Sequence, residues 1–440
     1  MKKHMKKIIS LLLVGIMIFS LAACGNSGDS DGGEENQGSD GDEQITLNFW
    51  HVWPTGEMAD SVNEFIEQYT AEHPNIKIEQ TSAMPTDYKT RKLPVAVAGG
   101  EQGDIFFTYG AGYSQPFVDS GAVMPLDEYM EKEKTAERLL EGVTENFIYD
   151  GKTYGLPLKN WCVVMYCNSQ LFEENNIEYP ETFDDLLDVV DQFNELGITP
   201  MALGGKQAVG IELIQNALAV KTAGAEAVTA AQNGTGSFDT PEIAQSAELL
   251  VELMEHNAFP DGVLGLDAQE ASMDFHTGHA AMFVTGSWEA LQCESENSDL
   301  NGIVKPIPFP NVEGGKGVTQ TSGGSIDCFM ISKNTEHPDE AFDFAVKLAE
   351  YLSLEAYKIG DSLPAWKVDI DPSEINPVLA EIKEFTDQYD QYALAWDTAL
   401  VGEAIDTHLT LLQEVLGGVV TPEEFAKQMQ EVNEKVLASE

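Results

Sequence analysis

Six tryptophans stand out among the residues able to do chemistry: Trp50, Trp53, Trp161, Trp288, Trp366 and Trp396. The most pointed is Trp288, which ends the stretch 278–288, GHAAMFVTGSW. That stretch reads as a small turn, a short apolar strand and a second Gly-containing turn. A Trp just past a strand end, in a loop where backbone can approach another molecule, suits a flat stacking plate. A large residue capping a sheet edge is the competing reading. Residues 45–50 alternate as a strand does, and the loop after them holds His51 and Trp53. In open α/β sheets ligands bind outside the carboxyl ends of strands, so these two are contact candidates, while Trp50 is assigned to packing.

Carbohydrate rings have apolar C–H faces and hydroxyl edges, and stacking plates among Asn, Asp, Ser and Tyr match both. An amino acid or peptide would call for a fixed carboxylate partner, normally Arg, and Arg91 and Arg138 are the only arginines. Helix N-termini can serve instead, so a non-sugar solute stays open as an alternative. Catalysis has little support. With 74 acidic residues any carboxylate pair is uninformative, and neither a Gly-x-Ser-x-Gly elbow nor a His-Glu-x-x-His motif occurs. An exported carbohydrate-active enzyme using the same plates is the rival class. His276 and His279, with Asp274 nearby, resemble half a zinc site, but a third ligand is not evident. No metal and no cofactor are expected.

The strand ending in Gly-Ser-Trp, the stretch 103–113 (GDIFFTYGAGY), and the run Gly155-Leu156-Pro157 followed by Tyr166-Cys167-Asn168 together resemble the bacterial extracellular solute-binding proteins of ABC importers. The likeness is to the sugar-binding branch that includes the maltose-binding protein, and it extends from Ile45 to the end of the chain. It implies a periplasmic-binding-protein-like fold of type II: two discontinuous α/β lobes around a ligand cleft. It also implies contacts from Tyr109 and Tyr113 after one strand, from Asn160 and Trp161 at the first crossing between lobes, and from Ser325 at the return crossing. Trp366 would re-enter the cleft region from the side. Trp396 would be the second plate, with Asp397 beside it. The partners implied are a carbohydrate, expected to be an oligosaccharide, and an ABC permease with its cytoplasmic ATPase.

Positioning such residues takes strands feeding loops, with helices behind them. The apolar core of 105–107 is continuous, as in a parallel strand covered on both faces. Residues 75–80 predict a further strand. Helices are predicted from Glu57 to about Ala71, over 88–97, across 126–140, from Pro180-Glu181-Thr182 to about Leu196, and over 207–223, 240–256, 339–351 and 421–437. Thr240-Pro241 and Thr421-Pro422 set two of these starts.

The first 44 residues are different in kind. Lys2, Lys3, Lys6 and Lys7 precede an apolar run at 8–21 and then Leu21-Ala22-Ala23-Cys24, which resembles a bacterial lipobox. A signal peptide at 1–23 is therefore expected, with Cys24 lipidated and the protein held to the outer face of the cytoplasmic membrane. Residues 25–44 contain no aliphatic or aromatic side chain and predict a flexible acidic tether. The remaining boundaries are 45–157 for mainly the N-terminal lobe, 158–320 for mainly the C-terminal lobe, and 321–440 for segments shared by both. A formal charge of -50 puts nucleic acid out of the partner set. Cys162, Cys167, Cys293 and Cys328 have no metal-binding spacing and are expected as buried free thiols in a monomer.

Overall fold

In the computed structural model, residues 44–438 are described, so Cys24, the signal peptide and nearly all of the tether lie outside the described residues. Numbering strands in chain order, β1 is Ile45–His51, β2 Ile76–Ser82 and β3 Ile105–Tyr109. A small hairpin of β4, Ile148–Tyr149, and β5, Lys152–Thr153, precedes β6, Leu156–Pro157. Next come β7, Lys159–Asn160, β8, Val163–Asn168, β9, Thr199–Ala202, β10, Ala280–Gly286, and β11, Val304–Ile307. The last four are β12, Gln320–Ser322, β13, Asp327–Ile331, β14, Leu363–Pro364, and β15, Gln391–Ala393.

Two principal sheets result. The first has the order β2-β1-β3-β13-β6, with β1 parallel to β2 and β3, and β13 antiparallel to β3 and β6. The second has the order β11-β8-β10-β9, with β8 antiparallel to both its neighbours. Every residue of β8 (VVMYCN) and β10 (AAMFVTG) is buried. Such unbroken apolar runs belong to strands covered on both faces, whereas the alternating burial of β1 follows its alternating sequence.

Each sheet anchors its own core. One core draws on 45–158 and again on 328–366, the other on 163–312 and again on 393–436. The chain therefore passes from the first core to the second between Leu158 and Val163, returns between Val312 and Cys328, and goes over again between Trp366 and Ala393. Each lobe is discontinuous.

Local chemistry sets the helix starts. Thr182 and Asp185 form a reciprocal capping box for Phe183–Leu196, and Thr421 and Glu424 do the same for Pro422–Leu437. Thr240 caps Pro241–Glu255, with the proline at the first helical position, where its missing N–H is not needed. Three predicted helices differ from expectation. The segment from Tyr88 opens as a π-helical turn, Tyr88–Lys92, before Leu93–Gly99, with Pro94 unable to supply an intrahelical N–H. The region 126–140 is two short helices, Asp127–Lys132 and Thr135–Arg138, parted at Lys134 with φ 52°. The helix expected at 339–351 runs from Pro338 to Ile359, until Gly360 stops it in the left-handed conformation. All four described cysteines are free and buried.

Candidate ligand cleft

The site is assembled where β10 ends beside the first crossing. Ser287 N–H donates to the Cys162 carbonyl at 2.8 Å, and Cys162 N–H reaches Ser287 Oγ at 3.4 Å. That exchange sets Trp288 next to Trp161, with ring centroids 5.2 Å apart and planes at 46°. Trp288 is 41% exposed, unusual for so large an apolar side chain, and Trp161 is half-buried. Asn160 Oδ1 accepts from Trp161 N–H at 2.9 Å, so its side chain braces the same corner. Across from it, Gly323 leaves room for the crossing strand: a Cβ there would stand 2.2 Å from the Trp161 carbonyl oxygen. On its far side the Trp288 turn is held by Glu289, which accepts from Ser272 Oγ and pairs with His276 Nε2, both at 2.8 Å. His276 is thus occupied. His279 faces Asp274 at 3.5 Å, and no cluster of three potential metal ligands exists among the described residues.

A second group lies at the carboxyl ends of β1 and β3. Trp53 is half-buried and meets Phe107 edge-on, with centroids 5.1 Å apart. Tyr109 packs at right angles to Phe107 and Tyr113, and the Lys89 ammonium sits 4.7 Å from its ring centre. Tyr113 donates from its hydroxyl to the Lys89 carbonyl at 2.6 Å. Burial raises the phenol pKa values of both tyrosines, that of Tyr113 to about 12, so both remain neutral hydrogen-bonding groups.

Between these groups runs an ion cluster that the sequence did not disclose. Lys159 Nζ lies 2.9 Å from Asp361 and 3.4 Å from Asp327, and Asp327 is the register partner of Tyr109. Burial pulls the Lys159 ammonium pKa down, but Asp361 and Asp327 outweigh it and hold the pKa above its ordinary value. The visible signal was Lys159 itself, a cation adjoining Asn160 and Trp161. Its partners come from the return crossing and from the loop after the Pro338–Ile359 helix, which no local spacing could reveal.

Four expected contact residues are placed differently. Trp396 is 0% exposed, stacked on His408 and Phe425 and packed against Phe238, so it offers a ligand no face. Trp366 is equally buried in the first core, where its indole N–H donates to the Pro157 carbonyl at 2.7 Å. His51 lies inside, stacked on Phe49 and bonded to Gln80, with burial lowering its pKa to about 4. Ser325 is buried and donates to the Lys159 carbonyl at 2.8 Å, a crossing-to-crossing tie. Asp397 remains half-buried: its backbone N–H donates to Glu212 at 2.7 Å while its carboxylate accepts from Thr398. Two surface recesses, about 250 Å³ beside Tyr69 and Asp343 and about 380 Å³ over His276, are lined by none of the tryptophans.

Two discontinuous α/β lobes, with aromatic side chains where the crossings meet the strand ends, define a two-lobed solute-binding protein. Residues 55–359 match the family model for bacterial extracellular solute-binding protein, and the chain belongs to that family. Its members are binding proteins, not enzymes. A solved structure from work on xylan utilization by the thermophilic bacterium Caldanaerobius polysaccharolyticus is 36% identical, with a TM-score of 0.80 over 88% of this chain and 100% of that one. A chitin oligosaccharide binding protein superposes with a TM-score of 0.77 at 26% identity, covering 89% of this chain and 98% of its own. Among curated relatives, the multiple sugar-binding protein of Streptococcus mutans is 22% identical over 399 residues, 88% of this chain and 89% of its own length. No described helix is long and apolar enough to cross a membrane.

Proposed function

We propose that the protein captures an oligosaccharide between its lobes and passes it to an ABC permease driven by a cytoplasmic ATPase. The observation that carries this reading is the Trp161–Trp288 pair, two large rings side by side at the first crossing, one of them 41% exposed. A sugar's apolar face stacks on such rings while its hydroxyls take hydrogen bonds from nearby polar groups. Asn160, Tyr109, Tyr113 and Asp397 supply such groups, and Trp53 offers a further ring. Trp396, Trp366, His51 and Ser325 are left out because their rings or polar atoms are spent inside the fold. One similar solved structure comes from work on xylan utilization and another is a chitin oligosaccharide binding protein, so xylo- and chito-oligosaccharides head the candidates. Lobe closure is then a population shift drawn by contacts available only in the closed form.

Calorimetric titration and thermal shift against a panel of oligosaccharides, with amino acids, peptides and divalent ions as controls, test this. A sugar at a hundred times its Kd raises stability by about 2.7 kcal/mol. A panel silent for every sugar and positive for a peptide or ion overturns the reading in favour of a non-sugar solute. Release of shortened sugars at catalytic rates would instead favour the enzyme.

The lipobox supports export and anchoring to the outer face of the cytoplasmic membrane through Cys24, with 25–44 as the tether. Mass spectrometry of the membrane-extracted protein tests it, and an unmodified mature chain starting elsewhere refutes it. Loss of ATPase stimulation in a reconstituted importer would argue for a signalling role instead.

A further inference from the structure

The end of β10 is shaped by a side chain that is not there. A Cβ on Gly286 would stand 2.1, 2.2 and 2.3 Å from Cζ3, Cη2 and Cε3 of Trp288, so the six-membered ring of the indole lies directly on the Gly286 backbone. Gly286 has φ -78° and ψ 163°, extended values open to any residue, so it is the ring and not the conformation that demands glycine here. The seat is fixed from below. Tyr166, fully buried, donates from its hydroxyl to the Gly286 carbonyl at 3.1 Å, and Ser287 is bonded both ways to Cys162. Glu289 fastens the other side of the turn to Ser272 and His276. With the backbone held on both sides, a methyl group at 286 has one cheap escape, which is to push the half-exposed indole outward.

We propose that Gly286 is a positioning residue of the ligand site: the missing side chain sets the angle of Trp288, and with it the shape of the Trp161–Trp288 pair that a ligand meets. This rests on the reading of Trp288 as a ligand contact. The physics is steric exclusion at close packing, where even one methyl group is felt.

With two indoles 5.2 Å apart at 46°, coupling of their electronic transitions is expected to give a far-ultraviolet circular dichroism couplet readable without any ligand. Gly286→Ala, Trp288→Ala and the double variant are compared by that couplet, by thermal unfolding, and by calorimetric titration with xylotetraose and chitotetraose. Gly286→Ala is expected to lose the couplet as Trp288→Ala does, and to bind about tenfold or more weakly where Trp288→Ala loses about 30-fold. In the Trp288→Ala background the same methyl should change nothing further, and any lowered melt of Gly286→Ala should be restored there. A couplet absent from the parent or intact in Gly286→Ala overturns the proposal, as does a Gly286→Ala defect undiminished in the double variant, which would mean strand strain and not the ring. If Trp288→Ala binds as the parent does while Gly286→Ala still erases the couplet, the seat stands as a packing device, and what falls is the reading of Trp288 as a ligand contact.

Discussion

Trp161 and Trp288 touch although they lie far apart in the chain, because Ser287 and Cys162, the residues next after Gly286 and Trp161, bond to each other. The pair should therefore act as one unit. Replacing either ring with Ala is expected to weaken sugar binding by about 2 kcal/mol or more. The double variant should lose less than the sum, with a coupling energy of about 0.5–1.5 kcal/mol. Calorimetric titration of the four proteins measures it, and strict additivity would mean that the rings meet the ligand independently.

Trp396 should behave in the opposite way. Its ring is enclosed by Phe238, His408 and Phe425, so Trp396→Ala opens a cavity and is expected to cost about 3–5 kcal/mol of folding stability. Whatever remains folded should bind sugar as the parent does. Urea unfolding alongside titration separates the effects; a stable variant with weak binding would restore Trp396 to the cleft.

Lys159→Met leaves Asp327 and Asp361 facing each other without their cation. With the Lys159 side chain 25% exposed, water screens part of the repulsion, and the expected loss is about 2 kcal/mol, below the roughly 3–5 kcal/mol of a fully buried pair. Adding Asp327→Asn and Asp361→Asn should recover most of it. Denaturant midpoints test this, and a Lys159→Met protein as stable as the parent would show the cluster to be energetically idle.

His51 gives a pH signature. Its folded pKa is lowered to about 4 by burial, against an ordinary value near 6.5. Between those values the unfolded chain binds the extra proton, so stability rises with pH across the window and is lost as pH falls from about 6.5 toward 4. His51→Gln should flatten that slope by up to one proton. Unfolding free energies of both proteins at several pH values in the window measure it; identical slopes would mean that His51 titrates normally.

Much of this was legible in the chain. Thr182, Thr240 and Thr421 marked helix starts because capping is local, and the Gly-Ser-Trp strand end exposed Trp288 because a strand end and its turn are local too. Burial of Trp396 was not legible. Its enclosing rings, Phe238, His408 and Phe425, are set by helix packing, and a Trp at the start of a short helix reads the same whether a neighbour covers it or not. Lys159 showed itself as a cation in a loop, but the two carboxylates that fix its role arrive from segments far along the chain.

The place of β13 in the first sheet has a consequence for synthesis. It lies between β3 and β6, so the N-terminal lobe has a vacant middle position until residue 331 has been made, and the Pro338–Ile359 helix that packs against that sheet arrives later still. A nascent chain carrying the whole C-terminal sheet can thus close that lobe's sheet while the earlier lobe still waits, inverting the usual order in which N-terminal parts fold first.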